Sequence, residues 1–89
     1  MSQHASHPDI VRRLKRAEGH LRGTIEMIET GRSCLDIAQQ LHAVESAVRE
    51  AKKALIRDHI DHCLADAVNG PQRDSRPVIE ELRDITKYL

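Results

Sequence analysis

From His7 onward the apolar residues fall at helical intervals. Ile10, Leu14, Ala17, Leu21, Ile25 and Ile28 follow one another at steps of four or three. That is one stripe of a 3.6-residue period, with none of the alternation of a strand. Pro8 and Asp9 suit the opening turn, where proline loses no hydrogen bond and a carboxylate faces the positive end of the helix dipole. The stripe ends at Thr30-Gly31-Arg32, with Gly31 a natural left-handed cap. Ser33 and Asp36 then form a capping-box-like pair, with Asp where Glu or Gln is usual. Ile37, Leu41, Val44, Val48, Ala51 and Leu55 alternate steps of four and three, a heptad seam. No Gly or Pro interrupts residues 33–69, so the second helix is predicted to run more than about eight turns. Asn69-Gly70-Pro71 breaks it. A short third helix is expected from about Ser75 or Pro77 to Tyr88, with Val78, Leu82 and Ile85 on one stripe.

The pattern predicts an all-α chain: two long helices in an antiparallel hairpin, then a short third. Composition adds that one copy is not enough. The 89 residues contain no Phe, no Trp and a single Tyr88. Side chains as small as Ala, Val, Ile and Leu build a thin core in so short a chain. The hairpin is therefore expected to pair with a second copy in a four-helix bundle, and two dimers to form a homotetramer. Residues 1–8 are expected to form a flexible arm and residues 9–89 a single domain. No apolar run approaches the roughly 20 residues of a membrane span. The start, MSQHASHPD, has neither the basic nor the apolar region of a secretory signal. A cytoplasmic location follows as the expectation. There Cys34 and Cys63 are better read as ligands or reactive thiols than as a disulfide.

Chemistry concentrates in Cys34, His59 and Cys63. His59 and Cys63 are four apart on one helix, so they share a face and can hold one ion. Cys34 lies 25 residues before His59, roughly 37 Å along a helix. One straight helix cannot bring all three together, but two antiparallel copies crossing near Ala47-Val48 can. Cys34 of one chain then meets the partner's His59 and Cys63, and the small residues Ala43, Ser46, Ala47 and Ala51 allow close approach. Spacing alone leaves open a metal site or a thiol-reactive one. No phosphate-cradling glycine loop, nucleophile elbow or paired carboxylate in a recognisable setting is present, so no enzyme and no small organic substrate are expected.

Arg13-Leu14-Lys15-Arg16-Ala17-Glu18-Gly19-His20-Leu21, then Cys34, then Asp58-His59-Ile60-Asp61-His62-Cys63, resemble the CsoR/RcnR family of bacterial repressors. The resemblance covers about Ile10 to Leu89. It implies a dimer of hairpins assembled into a flat tetramer, which binds operator DNA when inducer-free and releases it on inducer binding. The Cys34, His59, Cys63 set is similar to that of the family's copper(I) sensors, which control metal efflux genes. Two thiolates and an imidazole suit a soft monovalent ion. Glu81 falls where those sensors have a carboxylate supporting the ligand His. Two departures keep Ni(II) or Co(II) as the alternative. Ser33 stands where an aromatic hydroxyl often precedes the first Cys, and His4, His7 and His62 add nearby nitrogen donors. The family's nickel and cobalt sensors recruit an N-terminal His, at a position aligned with Ser2 here. Formaldehyde sensors lack a Cys at the position of Cys63. Persulfide sensors keep both cysteines but lack the His, which leaves a thiol switch on Cys34 and Cys63 a more remote alternative.

Charge points to the second partner. Net charge is zero, yet residues 9–57 hold ten Lys/Arg against seven Asp/Glu, and residues 58–89 four against seven. A local basic patch is what DNA binding needs. Arg12, Arg13, Lys15, Arg16 and Arg22 lie off the first apolar stripe, and Arg49, Lys52, Lys53 and Arg57 lie on the second helix. An antiparallel hairpin sets the two runs side by side, where they can neutralise phosphates. No helix-turn-helix is present, in agreement with the resemblance. Arg13 and Lys15 match basic positions that the family uses, Arg16 adjoins them, and Lys53 and Arg57 lie in its second basic region.

Overall fold

A computed structural model describes residues 7–69 and 76–89, with no strand among them. Three helices follow in order: α1, His7–Glu29; α2, Cys34–Asn69; and α3, Arg76–Thr86. His7 and Pro8, expected in the arm, already belong to the first turn of α1.

Both hairpin helices end where the sequence provides a device. Gly31 is left-handed, with φ 77°. Its N–H donates to the Ile28 carbonyl at 3.2 Å, and the Arg32 N–H donates to the Met27 carbonyl at 2.9 Å. These two bonds are a Schellman motif, which satisfies carbonyls that the helix end would strand. Two residues after Gly31, α2 is capped: the Asp36 N–H donates to Ser33 Oγ at 3.1 Å. The capping box is one-sided in its geometry, since the Asp36 carboxylate takes Arg32 at 3.4 Å. Asp is one methylene shorter than the Glu that normally reaches back. The tight connection forces α1 back antiparallel along α2, and α3 packs on α2.

The hairpin core is narrower than the apolar stripes that form it. On α1 the buried residues are Ile10, Ala17 and Thr24, seven apart each time. On α2 they are Val44 and Ala51, then Ile56 and Cys63. Thr24 keeps its hydroxyl satisfied by donating to the His20 carbonyl at 2.9 Å. Small residues at Ala17 and Ala51 let the helices approach closely. Other members of the same stripes stay outside: Leu14, Leu21, Ile25 and Ile28 on α1, and Leu41, Val48 and Leu55 on α2, are all at least 40% exposed. Each stripe is therefore wide enough for two faces, and one chain covers only one of them. The expected close-approach set is reassigned in part: Ala51 is buried in the chain's own hairpin and Ala47 lines the α1–α2 groove, leaving Val48 as the outward residue.

The shape agrees. The radius of gyration is 18.0 Å, against about 12 Å for a compact chain of this length. The molecule measures 60 × 23 × 14 Å, a rod set by α2, whose 36 residues span about 54 Å. Among the described residues no helix is long and apolar enough to cross a membrane.

Candidate metal centre and nucleic-acid interface

The last third of α2 gathers the chemistry. His59 and Cys63 lie one turn apart, and His59 Nε2 is 3.5 Å from Cys63 Sγ. Cys63 is buried. From α3, Glu81 brings Oε1 to 3.2 Å from the same His59 Nε2. An ionised carboxylate can only accept, so Nε2–H donates to Glu81. The contact orients the His59 ring toward α3. This contact also pins α3 to α2 beside the donors.

α1 reaches the same end of the rod. His7 Nε2 lies 3.9 Å from Asp58 Oδ2, and Asp58 directly precedes His59. His62 is half-buried on the next turn. His4 lies outside the described residues. Cys34 is exposed at the first residue of α2, the opposite end from His59 and Cys63. Among the described residues, one chain alone gathers no group of three metal donors. What it presents is the His59–Cys63 pair toward one end of α2 and the Cys34 thiol at the other.

The donor chemistry fits a soft or borderline ion. A thiolate and a neutral imidazole, the latter backed by a carboxylate, are ligands of Cu(I), Zn(II) and their neighbours rather than of Mg(II) or Ca(II).

The basic surface lies on the hairpin's middle. Arg13 and Arg16 line a shallow α1–α2 groove of about 180 Å³ with Ala17, His20, Ala47 and Glu50. Residues 13 and 16 thus meet α2 at Ala47 and the acidic Glu50, and none of the basic residues of the expected run 49–57 lines the groove. Lys15 and Arg57 are exposed, as are Arg13 and Arg16, whereas Lys53 is half-buried. Several basic groups carry acidic neighbours on their own helix. Asp9 takes Arg12 at 2.8 Å and Arg13 at 3.8 Å. Glu45 takes Arg49 at 2.7 Å, and Glu50 takes Lys53 at 3.6 Å. The hydrogen bond from Arg12, with its charge, holds the Asp9 carboxyl below its ordinary value of 3.8. Exposed pairs of this kind are worth little in stability, but each acid offsets part of the field that a phosphate would meet.

Two cross-helix links escaped sequence reasoning. His20 of α1 hydrogen-bonds to Gln40 of α2, and His7 meets Asp58. Each joins positions whose numbers sum to 60–65. The antiparallel register would have found them, had the connection length been fixed first.

Comparison with known proteins places this geometry. Residues 6–88 match the family model described as metal-sensitive transcriptional repressor. The copper-sensing transcriptional repressor CsoR of Bacillus subtilis (strain 168) is 42% identical over 78 residues, 88% of this chain and 75% of that protein. The copper-sensing repressor RicR of Mycobacterium tuberculosis (strain ATCC 25618 / H37Rv) is 40% identical over 67 residues, 73% of this chain and 70% of that protein. Among solved structures, the nickel-responsive transcriptional regulator InrS superposes with a TM-score of 0.79 at 27% identity, covering 100% of this chain and 99% of that one. The chain belongs to the metal-sensitive transcriptional repressors, the CsoR/RcnR family, and is not an enzyme.

Proposed function

We propose that this chain is a Cu(I)-responsive repressor: it holds operator DNA in the metal-free state, lets go on binding Cu(I), and controls metal efflux genes. One observation carries the reading. The Cys63–His59–Glu81 cluster and Cys34 occupy opposite ends of one long helix whose outer apolar face is uncovered. A second copy placed antiparallel on that face completes two sites at once, each with Cys34 of one chain and the partner's His59 and Cys63. Two thiolates and one imidazole favour a three-coordinate soft ion. The copper-sensing relatives support the same choice.

The second copy is the occupant of the exposed face because it alone also supplies the missing donor. Leu14, Leu21, Leu41, Val48 and Leu55 then become the core of a four-helix bundle. Dimers pairing again give a homotetramer. Residues 7–89 act as one domain, with His7 and Pro8 part of α1, and the protein works in the cytoplasm, where operator DNA is. Arg13, Lys15, Arg16, Lys53 and Arg57 meet phosphates.

Ni(II) or Co(II) is the competing inducer. It is favoured by the nickel-responsive neighbour and by His7 standing at the same end of the rod as His59. An anaerobic titration with Cu(I), Ni(II) and Co(II), read by operator release, separates the two. Release by Cu(I) at one ion per protomer, with Ni(II) and Co(II) ineffective, is the expected result. Release by Ni(II) alone overturns the copper reading.

A further inference from the structure

The groove between α1 and α2 is lopsided in charge. Arg13, Arg16 and His20 line it from α1, the small side chains of Ala17 and Ala47 leave it open between the helices, and α2 contributes one acid, Glu50. Positions 13 and 50 fall in the same antiparallel register as the links of His20 to Gln40 and of His7 to Asp58. Glu50 therefore stands across the groove from two guanidinium groups. Its carboxylate is nevertheless taken by Lys53, three residues further along α2, at 3.6 Å. Glu50, Arg13 and Arg16 are all exposed, so no packing holds their side chains in one rotamer.

We infer that Glu50 is an internal competitor for DNA phosphate. Turned toward Arg13 and Arg16, its carboxylate takes the seat of a phosphate in the groove; turned toward Lys53, it leaves that seat open. The inference rests on the DNA-binding reading above and deepens it. An acid facing the two arginines lowers the local positive potential that draws a phosphate in. Phosphate contacts carry no sequence information, so the penalty falls on every duplex alike. Its use lies in release. Coupling between sites is typically worth about 1–3 kcal/mol, and an inducer with so little to spend frees DNA only if the total affinity is held down. Lys53 then has two duties, contact with phosphate and holding Glu50 aside. Glu45 is the natural contrast on the same helix: it is bound to Arg49 at 2.7 Å and stands outside the groove.

The test uses the full-length, metal-free protein and a fluorescently labelled duplex of mixed sequence, titrated by anisotropy over a range of salt. Glu50→Gln keeps the shape of the side chain and removes its charge. It should bind the duplex about fivefold more tightly at low salt, the upper scale of one exposed ion pair, and the gain should shrink as salt rises. Glu50→Ala serves if that variant fails to assemble. Glu45→Gln removes the same charge from the same helix outside the groove, and should gain far less. In an Arg16→Ala background the gain from Glu50→Gln should shrink, and Lys53→Gln should cost less when Glu50 is already Gln than when it is Glu. Equal gains from Glu50→Gln and Glu45→Gln would reduce the effect to net charge and overturn the competitor, as would strictly additive effects at positions 50 and 53. Wild-type affinity in Glu50→Gln, with binding still weakened by Arg16→Ala, would overturn it and leave the DNA surface standing. A wild type that binds no duplex at low salt would overturn the DNA-binding reading with it.

Discussion

Val48→Glu should dissociate the protein. Val48 is 45% exposed in the single chain, in mid-row between Leu41 and Leu55. Full burial of a valine is worth about 1.5–3 kcal/mol. The exposed half is then worth about 1 kcal/mol, and the two-fold brings two copies together, about 2 kcal/mol in all. Glutamate adds a charge with no partner next to its own symmetry copy, on the scale of the ~3–5 kcal/mol lost when a buried pair is broken. A total near 5 kcal/mol raises the dimer dissociation constant by more than about three decades. Sedimentation velocity across protein concentration reads this directly. Helicity by far-UV circular dichroism should fall over the same concentration range, because the six apolar residues buried among those described are a thin core for a lone hairpin. Tight Cu(I) binding should go with it, since the site is divided between chains. Sedimentation like wild type, with native helicity, would refute the antiparallel pairing. Ala47→Glu is a poorer probe, because it strikes the chain's own α1–α2 groove.

Arg13→Ala and Arg16→Ala should each lower the slope of log affinity against log salt by about one, without touching metal binding; an unchanged slope removes that residue from the phosphate contacts. Asp9→Asn should tighten operator binding several-fold by releasing Arg12 and Arg13. The Asp9 pKa is lowered from 3.8, so its small contribution to stability is present above that value and lost as pH falls through the lowered one. At neutral pH it is ionised and opposes DNA, and identical affinities for variant and wild type would contradict this. Gly19 lies in mid-helix with open space where a Cβ would stand, so Gly19→Ala should stabilise by about 0.5–1 kcal/mol, a rise of a few degrees in Tm. A fall in Tm would mean that the assembly covers this face. Glu81→Gln should retain Cu(I) binding but release DNA poorly; wild-type release would remove the His59–Glu81 contact from the coupling.

The elements were legible because each boundary carries its own local chemistry. Gly31 and Ser33 stop one helix and start the next within three residues, and residues 33–69 contain nothing to interrupt a helix. The proposed donor triplet rests on a spacing that two antiparallel copies would close; the chain itself brings together His59 and Cys63 and leaves Cys34 at the far end of α2. The division of the apolar stripes was not legible. Ile10, Leu14, Ala17 and Leu21 read as one stripe, yet Ala17 is buried and Leu14 and Leu21 are exposed. Periodicity gives a face but not its angular width, so it does not say which edge turns to α1. The same ambiguity assigned Ala47 and Ala51 to the dimer when both serve the hairpin. The Glu81 contact was legible only by resemblance, because the link between α2 and α3 carries no periodic signal.

On the proposed reading, one helix carries both responses. Lys53 and Arg57 precede His59 by six and two residues on α2, so any rotation of the helix at the metal site turns those side chains with it. An ion joining Cys34 of one chain to the partner's His59 and Cys63 ties the two copies of α2 at both ends and so fixes their crossing. Glu81 hands the same change to α3 through the His59 ring, and Asp58 touches His7 at the start of α1, five residues before Arg12. All three helices thus meet at the metal end, whereas the Arg13 and Arg16 groove lies nearer mid-rod. Linkage requires only that the crossing favoured by the ion differ from the crossing favoured by DNA. A shared site at the ends of a long, thin rod meets that condition, because a small change of angle there moves the basic side chains relative to those of the other copy.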